Sequence, residues 1–243
     1  MHLYNFEGVK IPFDSSWKSL AVSVSGGADS ALLAFMLASL ANNLSIEIHV
    51  ISHIRMWKTK PWQEQDGLNV FNWLCNRFPN IQFVRHVNFI PPEMEWGDKG
   101  ATMTDEYGRP VSGDNIEQRA FAEYTCFHND IDAYFNAVTR NPKDVEFNGM
   151  PTRDIDPTAD NQHLYMMKHM SKDVCHPFRF TEKSWVIKMY KQLGINGLLD
   201  ITRSCEGTFQ DITYETYTPG QFVPTCGECF WCKERDWAIH ENK

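Results

Sequence analysis

The chain has 243 residues and a net charge of −8, from 23 Lys and Arg against 31 Asp and Glu. That length suits one α/β domain with a full core, no apolar run approaches a membrane span, and the acidic balance argues against a broad nucleic-acid surface, which needs concentrated Lys and Arg. The first residues show no basic stretch before an apolar core, so no signal peptide is expected, and seven cysteines then favour a reducing, cytoplasmic setting and metal ligation over disulfides.

In chain order, residues 1–17 read as an irregular or hairpin-like lead-in that ends at the Asp14-Ser15-Ser16 turn. Residues 20–24 are short and apolar with two valines, as a buried strand would be, whereas 31–37 are rich in Ala, Leu and Met and read as a helix. Between them lies Ser25-Gly26-Gly27-Ala28-Asp29-Ser30. Two glycines at a strand-to-helix turn let the backbone approach an anion, and the free N–H groups of the helix start point toward it. The spacing is neither that of a Walker loop nor that of a dinucleotide fingerprint. An Asp or Ser helix cap after a glycine turn would use some of the same residues.

Residues 46–51 alternate as a second strand. His53, Arg55 and Trp57 follow it. A helix beginning near Pro61 fits the apolar positions Trp62, Leu68, Phe71, Trp73, Leu74 and Phe78, and 81–84 read as a third strand. Such alternation predicts parallel strands with helices on both faces and a ligand site at their carboxyl ends. Residues 90–114, with three prolines and four glycines, predict a long loop. A helix over 115–127 with Asp114 as cap, a fourth strand over 133–138 and a second loop over 139–162 follow. A helix over 184–194 is predicted with Thr181 as cap. Lys183 stands in its first turn, where a cation opposes the helix dipole unless an anion is bound there.

Cys226, Cys229 and Cys232 are spaced by two residues each, with Cys205 upstream across 20 residues. Four thiolates suit a closed tetrahedral zinc site with a structural role, and an iron–sulfur cluster is the competing assignment. Cys75, Cys126 and Cys175 read as core residues. The expected organisation is a nucleotide domain over 1–200 and a small cysteine lobe over 201–243.

Ser-Gly-Gly-x-Asp-Ser resembles the pyrophosphate loop of the PP-loop ATP pyrophosphatases, which cleave ATP between its α- and β-phosphates and form adenylates. Pro177 followed by Lys183 at a helix start is similar to that superfamily's phosphate-reaching lysine. With Thr202-Arg203-Ser204-Cys205 and the terminal cysteines running to Arg235, the chain resembles the 7-cyano-7-deazaguanine synthase family over nearly its whole length. The resemblance implies a Rossmann-like fold of the adenine nucleotide alpha hydrolase type, ATP and Mg2+, structural Zn2+ on Cys205, Cys226, Cys229 and Cys232, and a homodimer. It further implies conversion of 7-carboxy-7-deazaguanine and ammonia to the amide and then the nitrile. Ser25, Gly26, Gly27, Asp29, Ser30 and Lys183 would then bind ATP. Of these, Lys183, Asp29 and Ser30 would serve the chemistry, with Asp29 orienting the loop or holding the metal.

The acceptor half departs from the family. Its Gly-Arg-Asn is here Gly113-Asp114-Asn115, with Arg119 one turn on, and its Gly-Tyr-Pro-Asp is Gly149-Met150-Pro151-Thr152, with Asp154 the next carboxylate. Asn115, Arg119, Thr152 and Asp154 are the candidate acceptor contacts. The long spacing between Cys205 and Cys226 would project a loop from the lobe. A PP-loop enzyme of tRNA thiolation and a nucleotide-binding relative with only an interaction role are the competing functions.

Overall fold

Two short strands, β1 (His2–Phe6) and β2 (Val9–Phe13), pair antiparallel at the start of the chain. Their turn places Glu7 and Gly8 at positive φ, and the Asn5 side chain accepts from the Gly8 N–H at 2.8 Å. The computed structural model describes residues 1–94, 103–104, 110–111, 116–150, 166–169 and 172–243.

The main sheet takes β3 (Ser19–Ser23), β4 (Glu47–Arg55), β5 (Phe83–Ile90), β8 (Ala133–Phe135), β9 (Met166–His169) and β10 (Lys172–Cys175). A two-stranded ribbon, β6 (Met103–Thr104) with β7 (Pro110–Val111), lies apart from it. The spatial order is β5-β4-β3-β8-β10-β9, parallel throughout except for β9, which runs antiparallel on the edge. The strand order therefore reverses between β3 and β8, and ligands of open α/β sheets sit beyond the carboxyl ends of strands at such a reversal. The turn after β3 is the glycine loop.

Helix α1 (Ala28–Ala41) has eleven buried residues spread around its circumference. A helix apolar on all sides must be covered on all sides, and α1 lies against β3, α2 (Gln63–Arg77) and α4 (Lys183–Gln192). Leu74 and Phe78 are buried in this core and Phe71 and Trp73 pack at its edge, whereas Trp62 is buried against Phe209 and Arg203. On the opposite face of the sheet, Ala21 and Ile51 pack with Cys126 and Ile131 at α3 (Ile116–His128). The chain closes with α5 (Asn196–Ile201) and α6 (Phe230–His240), the latter packed on α4. Among the described residues no helix is long and apolar enough to cross a membrane.

Several expectations need correction. Strand β4 continues to Arg55, so His53 and Arg55 are strand residues, and β8 stops at Phe135. Thr181 does not cap α4. Its hydroxyl donates to the Phe178 carbonyl at 2.8 Å, and Glu182 takes the cap position without a side-chain bond. Strand β10 and the edge strand β9 lie where the sequence predicts no strand, because β10 gains its place from pairing with β8 and β9 rather than from its own alternation. Asp114 lies outside the described residues.

Candidate nucleotide site and cysteine centre

Val24 continues β3 by donating to Ile51 at 2.8 Å, and the buried Ser52 hydroxyl donates to the Val24 carbonyl at 2.8 Å. The chain then turns through Ser25, Gly26 and Gly27 into α1. Gly26 has φ +84, and a β-carbon there would stand 2.5 Å from the Asp66 Cβ and 2.9 Å from the Gly67 nitrogen. So the glycine is required twice, by its left-handed backbone and by the close approach of α2. Gly67 is pressed in turn against Ser52, 3.1 Å from where its own β-carbon would be. Ser30 stabilises the loop from within: its hydroxyl accepts from the Ser25 N–H at 3.2 Å and donates to the Gly27 carbonyl at 3.1 Å.

Lys183, in the first turn of α4, is only 2% exposed. A surface role for it is thereby excluded. Its ammonium is ion-paired to Asp29 Oδ2 in the first turn of α1, and Glu234 Oε2 lies 3.8 Å away on α6. The second Asp29 oxygen, Oδ1, is buried with no hydrogen-bond partner. Tyr190, about two turns further along α4, donates its hydroxyl to the Ala28 carbonyl at 2.8 Å. Burial and the neighbouring Asp29 carboxylate push the Tyr190 phenol well above its ordinary pKa. The glycine loop and the lysine, 154 residues apart, are thus one site.

The four cysteine sulfurs of Cys205, Cys226, Cys229 and Cys232 all lie within 4.8 Å of one another, and none is in a disulfide. Cys226 and Cys232 sulfurs are 3.9 Å apart. Four thiolates at about 2.3 Å from one ion would be spaced about 3.8 Å from each other, so the sulfurs fit a single metal ion. Backbone N–H groups already face the sulfurs: Gly207 and Cys226 donate to Cys205 at 3.4 and 3.3 Å, and Cys229 donates to Cys226 at 3.3 Å. Such donors stabilise thiolates. A side chain at Gly207 would meet the Cys226 sulfur at 2.6 Å, which reserves the space for the ligands.

The cysteine centre and the glycine loop share a segment. The Arg203 N–H, two residues before Cys205, donates to the Gly26 carbonyl at 2.9 Å. The Arg203 guanidinium donates to the carbonyls of Val223 and Pro224 and lies over the Trp62 ring, 5.0 Å from its centroid. Arg235 on α6 donates to the Thr202 carbonyl and hydroxyl and to the Leu199 carbonyl, each at 2.9 Å. The loop between the first two cysteines folds back on the molecule, with the Tyr214 hydroxyl donating to Thr59 at 2.7 Å and Phe209 edge-on to Trp62.

Sequence reasoning missed Glu234 and Asp66. Glu234 follows the last cysteine by two residues and reads as surface charge, but it is fully buried. Asp66 sits against Gly26, and burial pushes its carboxyl up to about 7 although Arg203 works against the shift. The only sequence signal was Gly67 inside a helix, which hints at close packing. Of the acceptor candidates, Arg119 pairs with Glu123 at 2.8 Å and its charge is felt by His176. Asn115, Thr152 and Asp154 lie outside the described residues. His53 sits on the α3 face of β4, where burial and Arg55 lower its pKa to about 4.

No protein-family model and no curated protein sequence matches the chain. Solved structures do. A U34-tRNA thiolase from Methanococcus maripaludis with its 4Fe–4S cluster matches 50% of this chain and 38% of its own, at 15% identity and a TM-score of 0.34. A 4-thiouridine synthetase in complex with RNA and bound ATP matches 92% of this chain and 50% of its own, at 12% identity and a TM-score of 0.50. An NMN synthetase from Francisella tularensis matches 94% and 88%, at 16% identity and a TM-score of 0.45. The chain spans half or less of the first two. The likeness to the ATP-bound synthetase is one of fold alone, a mostly parallel sheet with helices on both faces.

Proposed function

We propose that this chain is an ATP-dependent adenylating enzyme that activates the carboxylate of 7-carboxy-7-deazaguanine, or a close analogue, for attack by ammonia. The observation that carries the reading is the buried Lys183 beside Asp29 at the glycine loop, on the strand-order reversal. A buried ammonium against the first turn of α1 is an arrangement for polyphosphate, since it adds a full charge to the N–H groups of the loop.

In the proposed reaction a carboxylate oxygen bonds to the α-phosphorus as the bond to the α–β bridging oxygen breaks, and pyrophosphate leaves with the electron pair. Backbone N–H groups of residues 25–30 and the Lys183 ammonium neutralise the charge that develops on it. Asp29 Oδ1, buried without a hydrogen-bond partner, would hold the magnesium of MgATP, which would supply further charge neutralisation. Ammonia then adds to the acyl carbon, AMP leaves and a proton is released, giving the amide. A second activation at the amide oxygen, with loss of AMP and a proton, gives the nitrile. The acceptor assignment rests on the resemblance of the sequence motifs.

Zinc is the proposed occupant of the cysteine centre. Four thiolates around one ion leave no position for water, so its role would be to hold residues 202–205 and α6 in place.

The test is incubation with 7-carboxy-7-deazaguanine, MgATP and ammonium, with products weighed by mass spectrometry. The expected result is AMP with the amide or nitrile. Absence of AMP with this acid overturns the acceptor assignment.

A further inference from the structure

Lys183 has two carboxylate partners on two different helices. Asp29 belongs to the nucleotide loop, whereas Glu234 comes from α6, which begins at Phe230 immediately after Cys229 and includes the ligand Cys232. Glu234 has no exposed surface, and its Oε2 is 3.8 Å from the lysine nitrogen. Neighbouring Arg235 fixes the same turn of α6 through its three bonds to Thr202 and Leu199. The carboxylate therefore stands on a turn that cannot easily slide, and a buried charge is retained where it has a charged partner.

Binding of polyphosphate requires Lys183 to leave Asp29 at least in part, because one ammonium cannot give its full donor set to both. Once the lysine turns to phosphate, Glu234 is the carboxylate still able to fix its stem and direction. We propose that Glu234 is a positioning residue, which couples the cysteine centre to nucleotide binding by holding the Lys183 ammonium toward the phosphates. This rests on the reading of Lys183 as a phosphate ligand, though not on the identity of the acceptor acid.

The experiment is a double-mutant cycle on MgATP affinity, measured calorimetrically with no acceptor present, in the wild type, Glu234→Gln, Lys183→Met and the double variant. Metal content and thermal unfolding are followed in each. Glu234→Gln keeps shape while removing charge. It is expected to weaken MgATP binding about tenfold in the wild-type background, within the range for contacting charged groups, and to have no weakening effect when Lys183 is Met. Metal content is expected to stay unchanged. An unchanged or tighter affinity in Glu234→Gln, or an equal loss in both backgrounds, overturns the proposal. A wild type that does not bind MgATP at all overturns instead the nucleotide reading from which it proceeds.

Discussion

Gly26 and Asp66, forty residues apart, approach so closely that a β-carbon on the glycine would stand 2.5 Å from the aspartate's own. The glycine loop is therefore shaped from behind by α2. Replacing Gly26 with Ala would combine the strain of φ +84 with overpacking against helix backbone. The expected loss is about 3 kcal/mol of stability, read by urea unfolding, together with loss of MgATP binding. An Ala variant that unfolds and binds like the wild type would contradict the packing argument.

Asp66 offers a prediction of opposite sign. Burial raises its carboxyl from an ordinary 3.8 to about 7. The folded state thus binds the extra proton between these values, so its contribution to stability is present below about 4 and is lost as pH rises toward 7. Asp66→Asn removes that loss while keeping shape. The variant is expected to be more stable than the wild type at pH 8, by on the order of 2 kcal/mol, and to show little gain at pH 4. Thermal unfolding at the two values checks it.

Two histidines work the other way. Burial, with help from Arg55, lowers His53 to about 4, and burial with Arg179 and Arg119 lowers His176 to about 4, from 6.5. The unfolded chain then binds more protons across that window. Stability is full above about 6.5 and falls as pH drops toward 4, by about 2 kcal/mol for each group. His53→Gln is expected to flatten the slope of unfolding free energy between pH 7 and 5.

The cysteine centre is expected to carry one zinc ion per chain, with no visible charge-transfer absorption. Cys232→Ser, or stripping by a strong chelator, is expected to lower the melting temperature by roughly 10 °C. MgATP affinity should fall with it, since Arg203 ties this segment to the Gly26 carbonyl. A brown protein with iron and sulfide would contradict the zinc assignment.

The glycine loop, the cysteine set and the lysine at the start of α4 were legible in the sequence because each is a local pattern of side chains demanded by chemistry. The alternating strands were legible too, although β4 and β5 run past their apolar stretches because each continues as the other's hydrogen-bonding partner through Arg55 and Ile90. Glu234 was not legible. A glutamate between Lys233 and Arg235 has the composition of a solvated helix turn, and only the docking of α6 on α4 makes it a buried partner of Lys183. Asp66 escaped for the same reason, since its partner Gly26 comes from a different element. The acceptor candidates Asn115, Thr152 and Asp154 lie beyond the described residues, so the sequence alone speaks for them.

The most direct measurement is the position at which ATP is cut. With MgATP, ammonium and 7-carboxy-7-deazaguanine, phosphorus NMR of the wild type is expected to show AMP and pyrophosphate. Lys183→Met should be folded, retain its metal and be slower by at least about a hundredfold. Release of ADP and inorganic phosphate, or an undiminished rate in Lys183→Met, would contradict the assignment of this loop and lysine as an adenylating site.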